Sequence, residues 1–128
     1  MHEPSAIHDS AAHQTVDAAL AVHRALGPGL LESVYEQCLI HELHSRGLRV
    51  ARQVLLPIRY REITIDAGLR LDLLVESILI VEIKAIERIM PIHEAQLLTY
   101  LKLADKELGL LINFNVPLIK DGIRRIIR

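Results

Sequence analysis

The chain has 128 residues, which suits one domain built around a single core. About half of it is hydrophobic (51%) but only 3% is aromatic, with no Trp and one Phe, so the core must be aliphatic. Base stacking on aromatic platforms is therefore a poor candidate for a main binding mode, although three Tyr remain. A formal net charge of -1 removes the direct argument for nucleic acid that a strongly basic chain would carry. Cys38 stands alone and excludes an intramolecular disulfide. Met1-His2-Glu3-Pro4 has neither the basic nor the apolar region of a signal peptide, and no apolar run is long enough to span a bilayer. A cytoplasmic, reducing setting with no membrane partner is the expectation.

In chain order, residues 1–9 read as a flexible N-terminus and residues 10–128 as a single domain. A first helix is expected from about Ser10, with Val16, Leu20, Val22 and Leu26 as its apolar face, ending at the breaker Gly27-Pro28-Gly29. A second runs from about Leu30 to Arg46, striped by Tyr35, Leu39, Ile40 and Leu43, with Gly47 as its stop. The period then changes. Val50 to Tyr60 reads as a strand, with Pro57 marking a bulge or an edge. Ile63 and Ile65 alternate with polar residues in a next strand, and Gly68 reads as a turn. Leu69–Val75 and Ile78–Ile83 form a hairpin turning at Glu76-Ser77. Pro91 starts a third helix carrying Ala95, Leu98, Leu101 and Leu103. Leu108–Phe114 is a buried strand, and Ile119–Ile127 a final short strand or helical tail. An antiparallel meander followed by a crossover helix and another strand predicts an α/β (mixed α+β) domain, a central mixed sheet flanked by helices.

Three charges interrupt the most apolar part of this pattern: Asp72, Glu82 and Lys84. Unpaired charge is costly to bury, so such groups pair, hold a metal or do chemistry. Folding at Glu76-Ser77 sets Asp72 against Glu82, with both side chains able to project to one face. Glu82 and Lys84, two apart, share a face of their strand. Two carboxylates and a backbone carbonyl make the hard oxygen site that Mg²⁺ prefers, and a nearby ammonium can hold a water and offset charge on a phosphoryl group. The bland alternative is an ion pair at a sheet end.

Glu32 falls in the first turn of the second helix with Tyr35 and Glu36 on the same side, where a carboxylate also complements the helix dipole. His93, Gln96 and Tyr100 share a face of the third helix, which is either its wet face or the border of the site. Arg46, Arg49, Arg52, Arg59 and Arg61, and the C-terminal Lys120, Arg124, Arg125 and Arg128, read as solvated edges with snorkelling stems. His8, His13, His41 and His44 lack zinc-site spacing and read as surface or cap residues; Cys38 reads as a small buried hydrophobe.

Gly29-Leu30-Leu31-Glu32-Ser33-Val34-Tyr35, Arg70-Leu71-Asp72, Glu82-Ile83-Lys84-Ala85, Gln96 through Tyr100 and Leu111-Ile112-Asn113-Phe114 follow in order over about residues 12–128. Together they resemble the GxxExxY protein family, a branch of the PD-(D/E)xK nuclease-like superfamily. The resemblance implies a restriction-endonuclease-like fold, with Asp72 and Glu82 holding Mg²⁺ or Mn²⁺ and Lys84 catalytic. It adds Glu32 as a further metal carboxylate and Gln96 as a polar residue of the catalytic set, with Tyr35 and Tyr100 as accessory positions and structural roles for Asn113 and Phe114. Leu71 stands where the superfamily motif has Pro. The function implied is a Mg²⁺-dependent nuclease or nuclease-like phosphodiesterase acting on DNA or RNA. A bare core of this size is expected to need a homo-oligomer or protein partner to grip its substrate. The competing reading is a catalytically silent interaction or oligomerisation module on the same fold, with Lys84 locked onto Asp72 and an exposed apolar patch.

Overall fold

The computed structural model describes residues 5–128. Two helices open the chain, α1 (Ala6–Leu26) and α2 (Glu32–Ser45). Gly27 and Gly29 between them have φ of 71° and 99°, a conformation that side chains resist and that lets the chain reverse. The rest runs β1 (Val50–Tyr60), β2 (Ile63–Val75), β3 (Leu79–Lys84), α3 (Pro91–Ala104), β4 (Leu108–Asn113), a 3₁₀ turn (Ile119–Gly122) and β5 (Ile123–Ile127). The strands form one sheet in the order β1-β2-β3-β4-β5. Every pairing is antiparallel except β3–β4, whose parallel register requires α3 as the crossover.

Alternation along β3 sorts the core. Leu79, Val81 and Ile83 join Leu73, Val75, Leu108, Leu110 and Ile112 beneath α1 and α2. Ile80 turns the other way and joins Leu69, Leu71, Leu111 and the α3 residues Leu97 and Leu101. β3 and β4 are thus covered on both faces, which is why their sequences are continuously apolar. Truncating a fully buried Leu such as Leu101 to Ala removes about 2–5 kcal/mol of stability.

Several expectations are corrected. α1 begins at Ala6 rather than Ser10, because Asp9 N–H closes a helical turn on Ser5 O at 3.0 Å and the Asp9 carboxylate pairs with Arg125 of β5. Of the segment read as flexible, residues 1–4 lie outside the described residues. The buried face of α1 is mostly alanine (Ala11, Ala12, Ala18 and Ala19), with Val22, while Leu26 is exposed. Small side chains bring the helix close to its neighbours without forming a strong apolar stripe. Gly68 is not a turn, since β2 is continuous from Ile63 to Val75. It lies at a bulge, where the β1–β2 register shifts between Leu56 and Ile58 and Ala67 takes a φ of 53°. A Cβ on Gly68 would stand 3.0 Å from the Ile58 side chain. Pro57, on an edge strand and at that bulge, fits both parts of its reading. On α3 the buried residues are Leu97 and Leu101, whereas Leu98 and Leu103 are exposed.

Candidate active site

The β2–β3 hairpin closes through Glu76 and Ser77, both left-handed with φ of 52° and 59°, and Ile78 N–H bonds Val75 O at 3.1 Å. Val75, Leu74 and Leu73 then pair with Leu79, Ile80 and Val81, and the ladder stops. The next rung falls to Asp72 and Glu82, as the hairpin register predicts, but their side chains make it. Glu82 Oε2 accepts the Asp72 N–H and Asp72 Oδ2 accepts the Ile83 N–H, each at 2.8 Å. The carboxylates therefore do not simply stand together on one face; each reaches across to the opposing backbone where the two strands part. Both are buried, Asp72 at 9% exposure and Glu82 at 5%.

Two carboxylates this close and this dry resist ionising together. Burial, then the Asp72 charge, pushes Glu82 up to about 8, against the opposing pull of the Asp72 N–H bond and Lys84. Burial also raises Asp72, with Glu36 adding to the rise and the Ile83 N–H, Lys84 and Arg70 opposing it. One oxygen of each group is held by backbone. Asp72 Oδ1 and Glu82 Oε1 have no hydrogen bond within the described residues, and neither is sealed from solvent.

Lys84 ends β3, half-buried and anchored through its backbone, its carbonyl accepting the Phe114 N–H at 2.9 Å. Its ammonium forms no ion pair within the described residues, yet its charge favours ionisation of Glu32, Asp72 and Glu82. Glu32 is the first residue of α2 and lies on the exposed rim. Desolvation and the Asp72 charge raise its pKa, with Lys84 opposing. Tyr100 of α3 is half-buried, raised by burial and by the charges of Glu82 and Asp72. Gln96 is exposed one turn earlier on the same side of that helix. Asp72, Glu82, Lys84, Glu32 and Tyr100 thus act on a common electrostatic field between α2 and α3.

Two anticipated residues do other work. Tyr35 is fully buried, stacked on Phe114 at 4.6 Å between ring centroids. Its hydroxyl donates to Gly27 O at 2.6 Å and accepts from Leu30 N–H at 3.1 Å, tying α2 to the preceding loop. His93 Nδ1 accepts the Met90 N–H at 2.8 Å and caps α3. Asn113, level with Lys84 on β4, clamps the segment leaving β3: its side chain accepts the Ile86 N–H and donates to Ile86 O, both at 3.0 Å.

Sequence reasoning missed Glu36, Arg52, Gln53 and Arg70 as neighbours of the pair. Glu36 follows Glu32 by one helical turn, which was its signal, but its side chain is only 8% exposed. Its carboxylate receives Arg52 Nη2 at 3.3 Å and Gln53 Nε2 at 3.1 Å. Gln53 is level with Asp72, between the pairs Arg52–Leu73 and Val54–Leu71, and has a φ of 50°. Arg70 precedes Asp72 by two residues, is exposed, and lowers the pKa of Glu32, Asp72 and Tyr100.

The donor chemistry fits a divalent cation: two carboxylates on neighbouring strands, raised by burial and, at Glu82, by the Asp72 charge, would both be relieved by a positive charge. Among the described residues, no three His, Cys, Asp or Glu side chains converge into a ready-built metal cage, so Glu32 stays at the rim. A mixed five-stranded sheet with helices on both faces and a carboxylate pair and Lys where two strands part defines the class. The profile of the PD-(D/E)XK nuclease superfamily matches residues 9–126, and the chain belongs to that superfamily. No curated protein matches the chain. No solved structure does so either. No helix among the described residues is long and apolar enough to cross a membrane.

Proposed function

We propose that this domain is a metal-dependent nuclease of the GxxExxY branch, hydrolysing phosphodiester bonds in DNA or RNA. The reading rests above all on the reciprocal Asp72–Glu82 arrangement, which holds two buried, raised carboxylates across the opening of the hairpin, near a Lys with no ion-pair partner within the described residues. Asp72 and Glu82 would hold Mg²⁺ or Mn²⁺, with Glu32 joining from the rim. The ion supplies Lewis acidity at the phosphoryl group and a more acidic water. Lys84, free of any carboxylate partner within the described residues, orients the attacking water and offsets charge on the phosphoryl oxygens. Gln96 and Tyr100 offer hydrogen bonds from α3 to water or substrate, and the Asn113 clamp keeps Lys84 and α3 in fixed relation.

A silent module would gain from Lys84 locked onto Asp72, and no such pair forms among the described residues. The exposed Leu55, Tyr60, Ile63, Leu98 and Leu103 are compatible with a homo-oligomer or protein partner, which would extend the substrate grip rather than replace catalysis. Incubating labelled single- and double-stranded DNA and RNA with Mg²⁺ or Mn²⁺ and wild type, Asp72→Ala or Lys84→Ala tests the reading. Cleavage by wild type that falls at least about a hundredfold in both variants is expected, in line with the loss of one preorganised charged group. Cleavage that persists in a folded Asp72→Ala protein contradicts it.

A further inference from the structure

We infer that Arg52 and Arg70 are the phosphate grip of this site, holding the polynucleotide backbone on either side of the phosphoryl group attacked. The inference rests on the nuclease reading and goes beyond it by assigning the residues that bind substrate. Placement supports it first. Arg70 lies two residues before Asp72 on β2, opposite Leu55, and Arg52 lies on β1 opposite Leu73. The two positions therefore bracket Asp72 along the strands. At about 3.3 Å of rise per residue, the levels of Leu55 and Arg52 on β1 are about 10 Å apart, so the two guanidinium groups can meet different phosphates of one strand.

The way each cation is held points in the same direction. Glu36, nearly buried on α2, binds Arg52 through Nη2 at 3.3 Å and Nε at 3.4 Å, leaving Nη1 without a partner among the described residues and the side chain 61% exposed. Gln53 braces the same carboxylate with 3.1 Å contacts to both oxygens, from a backbone turned to φ 50°. A buried carboxylate and a left-handed Gln are elaborate support for one exposed surface arginine unless its direction matters. Arg70 is exposed and has no carboxylate partner within the described residues, so its donors are open to an incoming phosphate. Guanidinium groups suit this task because their planar fork matches phosphate oxygens. The assignment also answers the charge problem: a chain of net charge -1 can hold a polyanion if its free cations stand beside the carboxylates that a metal will neutralise.

The test measures binding of a fluorescent DNA duplex of about 20 base pairs, its single strand and the matching RNA against salt concentration, a length that covers several phosphate contacts. All proteins carry Glu82→Gln so that binding is read without turnover. Arg52→Gln and Arg70→Gln are compared with Arg49→Gln, a control whose exposed side chain pairs with Glu76 at the closed end of the hairpin. Each grip variant is expected to weaken binding about fivefold or more and to lower the slope of log K against log salt by about one phosphate contact, with the melting temperature close to that of the parent. Arg52→Lys is expected to restore part of the slope, a result that a purely structural role for Arg52 does not produce. Unchanged slopes in both grip variants, or an equal loss in Arg49→Gln, overturn the assignment while leaving the nuclease reading standing. Failure of the parent to bind any of the three probes overturns the assignment, and the nuclease reading falls with it only if wild type with Mg²⁺ or Mn²⁺ also cleaves none of them.

Discussion

Glu82 carries the conflict on which the site turns. It fills the rung that backbone would otherwise make, and burial beside Asp72 raises its pKa from 4.5 to about 8. A carboxyl raised in the folded state binds a proton there that the unfolded chain has already released, so stability is greatest below the unfolded value and falls as pH rises toward the folded one. Metal-free protein should therefore lose stability to urea between about pH 4.5 and 8, and Glu82→Gln, which keeps the acceptor for Asp72 N–H, should flatten that trend. A wild-type midpoint that rises across this window contradicts the account. Tyr35→Phe removes both hydroxyl contacts from a buried site and should cost about 1–3 kcal/mol in the same measurement; an unchanged midpoint would leave Tyr35 without the structural role given to it. The Asp72–Glu82 register was legible because a two-residue turn fixes every rung after it. Glu36 was not, since its partners Arg52 and Gln53 come from β1, far from it in sequence, and no residue-type signal marks a glutamine for a left-handed conformation.

At the scale of elements, β3 and β4 were legible as buried strands because both faces are covered and the sequence is apolar throughout. The helix faces were harder to read. α1 meets the core through alanines, which carry little hydrophobic signal, and α3 exposes Leu98 and Leu103 while burying Leu97 and Leu101. A leucine-rich helix offers more than one plausible stripe, and only the neighbouring sheet decides between them. Gly68 misled because a glycine that gives room to Ile58 in a bulged strand looks the same as one that turns a chain. Gly122 shows the same need for closeness in stronger form: a Cβ there would lie 2.1 Å from Asn113 O, and backbone cannot move aside as a side chain can. Gly122→Ala should destabilise by about 1–3 kcal/mol or more by chemical denaturation. Because Asn113 also clamps Ile86, the change should weaken protection of the Ile86 amide in hydrogen exchange. Wild-type stability and protection in that variant would contradict the close approach.

The whole molecule combines a near-neutral net charge with a local concentration of opposites, in which Lys84 and Arg70 act on the buried Asp72 carboxylate and Arg52 pairs with neighbouring Glu36. Composition alone pointed away from nucleic acid, because it averages over that arrangement. The ordered motifs carried the superfamily, and the matching profile spans residues 9–126. The central claim, that Asp72 and Glu82 form a working metal centre, is tested most directly by calorimetric titration of wild type and Glu82→Ala with Mg²⁺ and Mn²⁺ near neutral pH. The same samples are then assayed for nucleic-acid cleavage. Wild type should bind the metal with release of a proton, since the ion displaces the one held by the raised pair, and Glu82→Ala should lose metal binding and cleavage together. A wild-type protein that neither binds metal nor cleaves, or a variant that binds as tightly as wild type, would contradict the account.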